Sequence, residues 1–577
     1  MFRKNTRHYQ IPLTSNVDEL PEPLRKRLQN SWAGTFYQEF FCRLDEKPFE
    51  VLYVDMPSRP NVPVNVLVSL EYLKGANDWT DEELYDSACY DIQVRYAVGY
   101  RQLGEGYFDL RTLYYFRDRI SRYEQETGIN LLNQAFEQVT DKQLEAFQLK
   151  TGKQRMDSTL LASNIRQMGR VQLLVEVLQR VHRMLSAADQ ERYADVFAPY
   201  IKGHAGHYIY RMKHEEIGKH LQRIGEDIAY LLLELKAGYA SEAAYQVLER
   251  VFGEHFQFKK RKVLVKPAEE LSASSLQSPD DLEATYREKN GRGYRGYVAN
   301  LSETCDPENS LQLITKVQVA PNNTDDSQLL VEALPNLKAR TDLDTIYTDG
   351  GHGSPQADAV LQEHQVEHIQ TAIRGRDPDP NKLHLDDFTI QLNEKGKPVK
   401  TTCPQGQTVS VHTTVQQKAF VAHFKAQVCQ TCPLMERCPA RAGKRDERHH
   451  LRFTLTEMQM AQRRRRSREY QKEGRNLRAA VESTVRSVKH SFPSGKLPVR
   501  GLFRVTCMVI GSAALVNLKR IHRYMQAKMK VEEQQKKTSE QQECAQEETG
   551  ISILSFAKDV LTAFFGQFQP QRLLISW

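Results

Sequence analysis

Apolar positions change their period along the chain, and the changes outline its elements. Residues 1–60 combine proline breaks with Trp32, Phe36, Phe40, Phe41 and Tyr53, a pattern of short helices and turns. From Val62 to Tyr123 the spacing becomes helical: Val64, Leu67 and Leu70 recur on one face, then Leu84, Ala88 and Ile92. Thr80 followed by Glu83 has the spacing of a capping box and predicts a helix start there. Residues 160–260 read mostly as helix, through Val171–Leu178 and Ile228–Leu235. Lys266 to Asp281, rich in proline, serine and acids, reads as a linker.

After that linker the pattern turns to strands. Tyr294–Leu301 and Leu311–Val319 predict two strands joined by a turn. A helix follows over Asp326–Leu334, then a short strand, Thr345–Thr348, ending in Asp349-Gly-Gly-His, and a further strand within Val366–Ile373. This order predicts a mixed α/β sheet. Further on, Leu477, Val481, Val485 and Val488 form one helical stripe, with Arg478, Glu482, Arg486 and Lys489 displaced by one residue. That helix can bury one side while holding a single carboxylate at the core's edge, fenced by cations. An ordinary surface helix with Arg–Glu pairs carries the same pattern. Leu502–Ile521 reads as a buried helix, 526–549 as a polar, low-complexity segment that is a solvated helix or disordered, and Ile551–Trp577 as an apolar tail for docking on the body or a partner.

Composition narrows the class. A chain of 577 residues with 40% hydrophobic residues can build several domains around sizeable cores. The net charge of +7 is mild, yet basic residues crowd between Arg437 and Lys489 around Arg463-Arg464-Arg465-Arg466. Such a block suits a polyanion surface, or a solvated arginine-rich helix. Nine cysteines in so long a chain, with a polar start, argue against a disulfide-built secreted protein and for the cytosol. The longest apolar run, Cys507–Val516, is too short to span a bilayer.

Two groups of residues can carry chemistry. Asp157 closes a short segment before Ser158 and Thr159, which read as opening a helix, so it is either a strand-end site acid or a helix cap. With Asp349 after a strand and Glu482 on a helix, it makes three carboxylates on separate elements, the donor set that two Mg²⁺ ions need for in-line phosphoryl displacement. Asp344 competes with Asp349 but precedes its strand rather than ending it. Cys403, Cys429, Cys432 and Cys438 have the spacing of a closed four-thiolate structural zinc site, or of reduced cysteines in a loop.

The motifs resemble those of DDE transposases of bacterial insertion sequences. Arg478-x3-Glu482-x6-Lys489 is similar to their C-terminal signature, Asp157-Ser-Thr with Asn164 to their first catalytic motif, and Tyr347-Thr-Asp349-Gly-Gly-His to their second. Tyr297-Val-Ala-Asn-Leu-Ser-Glu-Thr-Cys-Asp resembles the strand between them. The cysteine segment and Tyr114-Tyr-Phe-Arg-Asp resemble the branch often called the eleven-eighty-two group. The likeness spans roughly residues 20–525. It departs at Arg475, where related families place tyrosine three residues before the arginine.

The resemblance implies an RNase H-like mixed sheet with a helical N-terminal domain and helical and cysteine-rich insertions. The expected division is 1–150 for a helical DNA-binding domain and 151–500 for the catalytic domain. The latter is interrupted by a helical insertion and linker at 160–285 and the four-cysteine insertion at 384–455. A packing helix at 501–525 and the polar segment and tail at 526–577 complete it. Asp157, Asp349 and Glu482 would bind two Mg²⁺ ions (or Mn²⁺), the cysteines a structural Zn²⁺, and Arg475, Arg478, Arg486 and Lys489 the double-stranded DNA. The implied activity cleaves element ends and joins their 3′-hydroxyls to target DNA, beside the nucleoid, in a homodimer or larger assembly. Its rivals are a related two-metal nuclease that cuts without joining and a non-catalytic, transposase-derived DNA-binding protein.

Overall fold

In the computed structural model the backbone is described for residues 1–565, apart from 10–14, 55–59, 211, 376–377, 394–395, 415–418, 444–446 and 473–475. Side chains are described through residue 537, Ser494 excepted. By contacts the chain divides into Met1–Leu518 and Lys519–Trp577.

The first unit begins with helices, among them α1 (Val64–Asn77), α2 (Asp81–Tyr90), α3 (Arg111–Thr127) and α4 (Leu131–Ala146). The capping box at Thr80 and Glu83 forms as its spacing predicts and starts α2. The sheet's first strand, β1 (Lys153–Ala162), leads into a helical insertion containing α5 (Arg170–Met184), α6 (Ile217–Tyr239) and α7 (Ala243–His255). Next come β2 (Thr285–Lys289), β3 (Arg292–Thr304), β4 (Ile314–Pro321), α8 (Asp326–Arg340), β5 (Thr345–Thr348), α9 (Pro355–Glu363) and β6 (Glu367–Gln370). A second, antiparallel sheet lies between Thr389 and Phe453. Then α10 (Leu455–Lys472), α11 (Ala479–Lys489) and α12 (Leu502–Phe565) follow.

The main sheet is mixed, as the element order predicts. Its strands run β2-β3-β1-β5-β6, with β4 sharing the outer side of β3. β3 pairs antiparallel with β1, β2 and β4, whereas β1–β5 and β5–β6 are parallel. One face, through Met156 and Ile346, packs on Leu330, Leu334 and Leu337 of α8 and Leu361 of α9. The other, through Leu161, Ala299, Leu301 and Val317, shares a core with the N-terminal helices, with Val485 and Val488 of α11, and with Val505 and Val509 of α12. The helical insertion and the cysteine segment each have a core of their own.

Two expectations are corrected. No helix opens at Ser158: β1 continues to Ala162 and pairs with β3 from Gln154 through Ala162, so Asp157 lies mid-strand opposite Leu301. The partner strand, remote in sequence, overrides the local capping signal. The segment from Lys266 to Asp281 is irregular but not a free linker, since Ser275, Ser278 and Asp281 are buried. Asp281 accepts hydrogen bonds from Tyr297 (2.6 Å) and Ser163, and from the Gly501 backbone (3.1 Å). β2, a short edge strand, had no separate signal in the apolar pattern. The stretch from Leu502 to Lys537 is long and apolar enough to cross a membrane, yet Val505, Val509, Ile510 and Ala513 within it are core residues.

The second unit continues as helix to Phe565. The low-complexity segment 526–549 is thus helical, and the last part of the apolar tail lies outside the described residues.

Candidate active site

The parallel register of β1 and β5 brings two acids together. Arg155 pairs with Tyr347, so Asp157 and Asp349 each stand two residues beyond the same rung. Strand alternation turns both toward the face that carries α11, because Leu161 and Tyr347 contribute to the cores on that side. Asp344, by contrast, lies at the other end of β5, hydrogen-bonded by Thr345 (2.7 Å) and close to Gly152.

The third acid comes from α11. Its apolar stripe forms as predicted, with Val481, Val485 and Val488 buried, while Leu477 packs just ahead of the helix. The Asn476 side chain caps the start, accepting from the backbone N–H groups of Arg478 (3.1 Å) and Ala479 (3.2 Å). A buried clamp fixes this helix to the sheet. Arg155 donates to Glu303 (2.6 Å) and to the Leu477 carbonyl (2.7 Å), and Thr484 donates to the other Glu303 oxygen (2.7 Å). The Leu477 backbone N–H donates to the Tyr470 hydroxyl.

So anchored, α11 sets Arg478 between two of the acids. Its guanidinium lies 3.2 Å from Asp157 and 3.3 Å from Glu482. Asp157 is buried and Glu482 is mostly exposed. Burial, with the nearby Asp349 charge, pushes the Asp157 carboxyl above its usual range against the pull of Arg478. Asp349 goes the other way. Burial alone would raise it, but His352, the Gly351 N–H and Arg478 together bring it down to about 2. His352 Nδ1 stands 2.7 Å and Gly351 N 2.9 Å from the same carboxylate oxygen. The Asp349 carbonyl is held by Thr348 (2.9 Å) and Gln370 (3.1 Å).

The two glycines after Asp349 give room rather than an unusual turn. Neither has a left-handed φ. A Cβ on Gly350 would fall 2.7 Å from the Arg374 backbone nitrogen, and one on Gly351 would fall 2.9 Å from Asp326 and 3.1 Å from Asp349. Asp326 is the residue that sequence reasoning missed, while His352 stood in the second motif without a role. Asp326 opens α8 beside the N-cap Asp325, a pattern shared by many helix starts, and accepts from Ser158 (2.9 Å), the neighbour of Asp157.

The expected DNA contacts fare unevenly. Arg475 lies outside the described residues. Arg486 is exposed on α11, whereas Lys489 is half-buried and donates to the Leu160 carbonyl (3.0 Å). Much of the arginine block turns inward or is paired. Arg463 is buried against Asp358 (2.6 Å), Arg465 meets Glu469 (3.0 Å), and Arg468 meets Asp386 (2.8 Å).

Cys403, Cys429, Cys432 and Cys438 line one small apolar pocket. Cys403 Sγ accepts from the Gln407 N–H (3.3 Å), and Cys432 N donates to the Cys429 carbonyl (3.1 Å). Burial first, then the neighbouring thiols, pushes the Cys429 thiol up. Among the described residues no three or more His, Cys, Asp or Glu side chains are arranged to hold a metal ion, either here or at the acids. At the acids the Arg478 guanidinium occupies the space between Asp157 and Glu482.

No curated protein and no solved structure matches the chain. Residues 402–522 do match the family model described as a transposase DDE domain. This span holds the four cysteines, Arg478 and Glu482, but neither Asp157 nor Asp349. The match makes this stretch similar to a transposase DDE domain.

Proposed function

We propose that this chain is a DNA transposase with an RNase H-like catalytic fold, which cleaves the ends of an insertion sequence and joins the freed 3′-hydroxyls to target DNA. One observation carries the reading: two carboxylates at the same height on adjacent parallel strands, with a third bridged to the first through Arg478. The antiparallel strands continued by parallel ones support the fold assignment.

Asp157, Asp349 and Glu482 offer hard oxygen donors of the kind Mg²⁺ or Mn²⁺ takes, and Asp349 is already ionised. Two ions, when bound, would supply charge stabilisation at the attacking and leaving oxygens of each in-line displacement. His352 orients the Asp349 carboxylate. Arg478, freed from the acids, would meet a DNA phosphate, and the exposed Arg486, about two turns further along α11, another. The N-terminal helices and the remaining exposed cations would hold the element ends, and pairing two ends calls for at least a homodimer. The expected setting is the cytosol, at the nucleoid. The four thiols have the donor chemistry of a closed structural zinc site. Metal analysis should then find zinc in the wild type and lose it in Cys432→Ser.

The deciding experiment is cleavage of a labelled element-end duplex with Mg²⁺ or EDTA, wild type beside Asp157→Ala, Asp349→Ala and Glu482→Ala. Metal-dependent nicking lost in all three variants, with DNA binding retained, supports the reading. Full cleavage by Glu482→Ala would sink the site assignment. Cleavage without strand transfer favours a nuclease, and binding without any cleavage favours a DNA-binding derivative.

A further inference from the structure

Between the helical insertion and the outer edge of the sheet lies a cavity of about 650 Å³. Arg170 of α5, His255 at the end of α7, Ser275, Arg287 of β2, Arg295 of β3 and Arg374 line it. These residues come from segments far apart in the sequence, and each brings a hydrogen-bond donor.

Two of the buried donors lack an acceptor. Arg170 Nε donates to His255 Nδ1 (3.1 Å), so that nitrogen is the acceptor and the ring proton sits on Nε2. Burial, together with Arg170 and Lys266, holds His255 down to about 4, so the ring is neutral at physiological pH and keeps this single tautomer. Nε2 is buried without a hydrogen-bond partner, and so is the Ser275 hydroxyl; the two residues are only 3% and 5% exposed. Buried donors are normally satisfied, and a pair of them on one cavity points to an acceptor that enters it. The cations tell the same story. Arg170 spends its other donors on the Lys266 and His255 carbonyls (both 2.8 Å), and Arg295 reaches only the Gln277 amide oxygen (3.0 Å). Neither is within ion-pair distance of a carboxylate among the described residues. Arg287 pairs with Asp326 and donates to the Asn322 and Thr324 carbonyls, all at 3.4 Å, and Arg374 pairs with Asp325 at 3.6 Å. Glu288 and Asp325 also line the cavity and Asp326 meets Arg287 at its edge, but four guanidinium groups outnumber these three carboxylates. A water molecule could serve His255 and Ser275, yet it would leave that positive excess unanswered.

The cavity also adjoins the acids. Arg287 pairs with Asp326, whose carboxylate flanks Gly351 together with that of Asp349 (2.9 and 3.1 Å from a Cβ placed there), and the Arg374 backbone nitrogen lies against Gly350 next to Asp349. We propose that this cavity binds a phosphate group, specifically a backbone phosphate of the DNA strand that runs past the acids. The DNA part of this statement rests on the transposase reading above. The phosphate part rests on the cavity alone.

The test therefore has two arms, both with EDTA present so that cleavage plays no role. In the first, the melting temperature of the full chain is followed with inorganic phosphate or a deoxynucleoside monophosphate, against sodium chloride of equal ionic strength. Wild type should be stabilised, and Arg295→Gln and Ser275→Ala should not be, although both melt normally without phosphate. In the second, binding of an element-end duplex is measured over a salt series. Arg295→Gln should bind about 10-fold more weakly and lower the slope of log K against log salt by about 1. Arg183→Gln, an exposed change on α5 away from the cavity, should leave both at wild-type values. Phosphate stabilisation without DNA binding would uphold the site and overturn the transposase reading. No phosphate effect in wild type, or unchanged DNA affinity and slope in both cavity variants, would overturn the proposal.

Discussion

The Asp349 carboxylate shows how a single group can be tuned by its immediate neighbours. Two donors, one from the backbone of Gly351 and one from His352, meet the same oxygen and outweigh the cost of burial. Its partner across the strands has the Ser158 backbone N–H (3.0 Å) and Arg478, yet burial and the Asp349 charge keep it above the ordinary range. Replacing His352 with glutamine should release the Asp349 side chain while leaving the backbone turn intact. The expected outcome is a loss of about 10- to 100-fold in metal-dependent cleavage, the usual scale for a residue that orients a ligand. Raising the metal concentration should recover part of it; an unchanged metal requirement would show that His352 does not orient the acid.

Acid sensitivity should also arise from single residues. His255 and His368 are buried and held down to about 4 and about 3, chiefly by burial. Their unfolded values lie near 6.5, so below that pH the unfolded chain binds more protons and stability falls. The loss should begin as pH drops through about 6.5 and continue to about 4 for His255 and about 3 for His368. Over its full window His255 accounts for something on the order of 3 kcal/mol. Thermal midpoints at a series of pH values should fall over this range, and His255→Gln should flatten the upper part of the curve.

Among the secondary-structure elements, α11 matters most, and its attachment rests on Glu303. This fully buried carboxylate is paired with Arg155 and hydrogen-bonded by Thr484. Glu303→Ala should cost about 3–5 kcal/mol, because it strands a buried guanidinium, whereas Thr484→Val should cost nearer 1–3 kcal/mol. Chemical denaturation would measure both, and equal effects would count against the clamp. The apolar stripe of α11 was legible in the sequence because helical packing is written in local spacing. The strand ending before Asp349 was legible for the same reason. β1 was not, because Ser158 and Thr159 after an acid look like a helix start, and only the pairing with β3 decides otherwise. The packing of Asp281 was hidden too: proline and serine content signals the absence of regular structure, not the tyrosine that will later cover it.

For the molecule as a whole, charge is the quantity the sequence most overstated. The arginine run suited a polyanion surface or a solvated arginine-rich helix, yet Arg463 is an internal ion-pair partner and Arg465 and Arg468 are tied to acids. This separates two roles that composition merges. Arg463→Gln should destabilise the fold by about 3 kcal/mol or more, since it leaves Asp358 without its partner in a largely buried site. Arg486→Gln should leave the melting temperature unchanged but lower the salt dependence of DNA binding by about one ion. Denaturation and a salt titration on the same two variants would show whether the roles are so divided.

Arg478 acts as an internal counter-ion, spanning the gap between Asp157 and Glu482 that an ion cluster would need. Any cation that takes these carboxylates must evict the guanidinium, and any polyanion that captures the guanidinium empties the carboxylates. On the transposase reading, thermodynamic linkage would then make the two ligands mutual effectors, each strengthening the other by the same factor. Replacing Arg478 with glutamine would cut that linkage: ion affinity should rise in the free protein and stop responding to DNA.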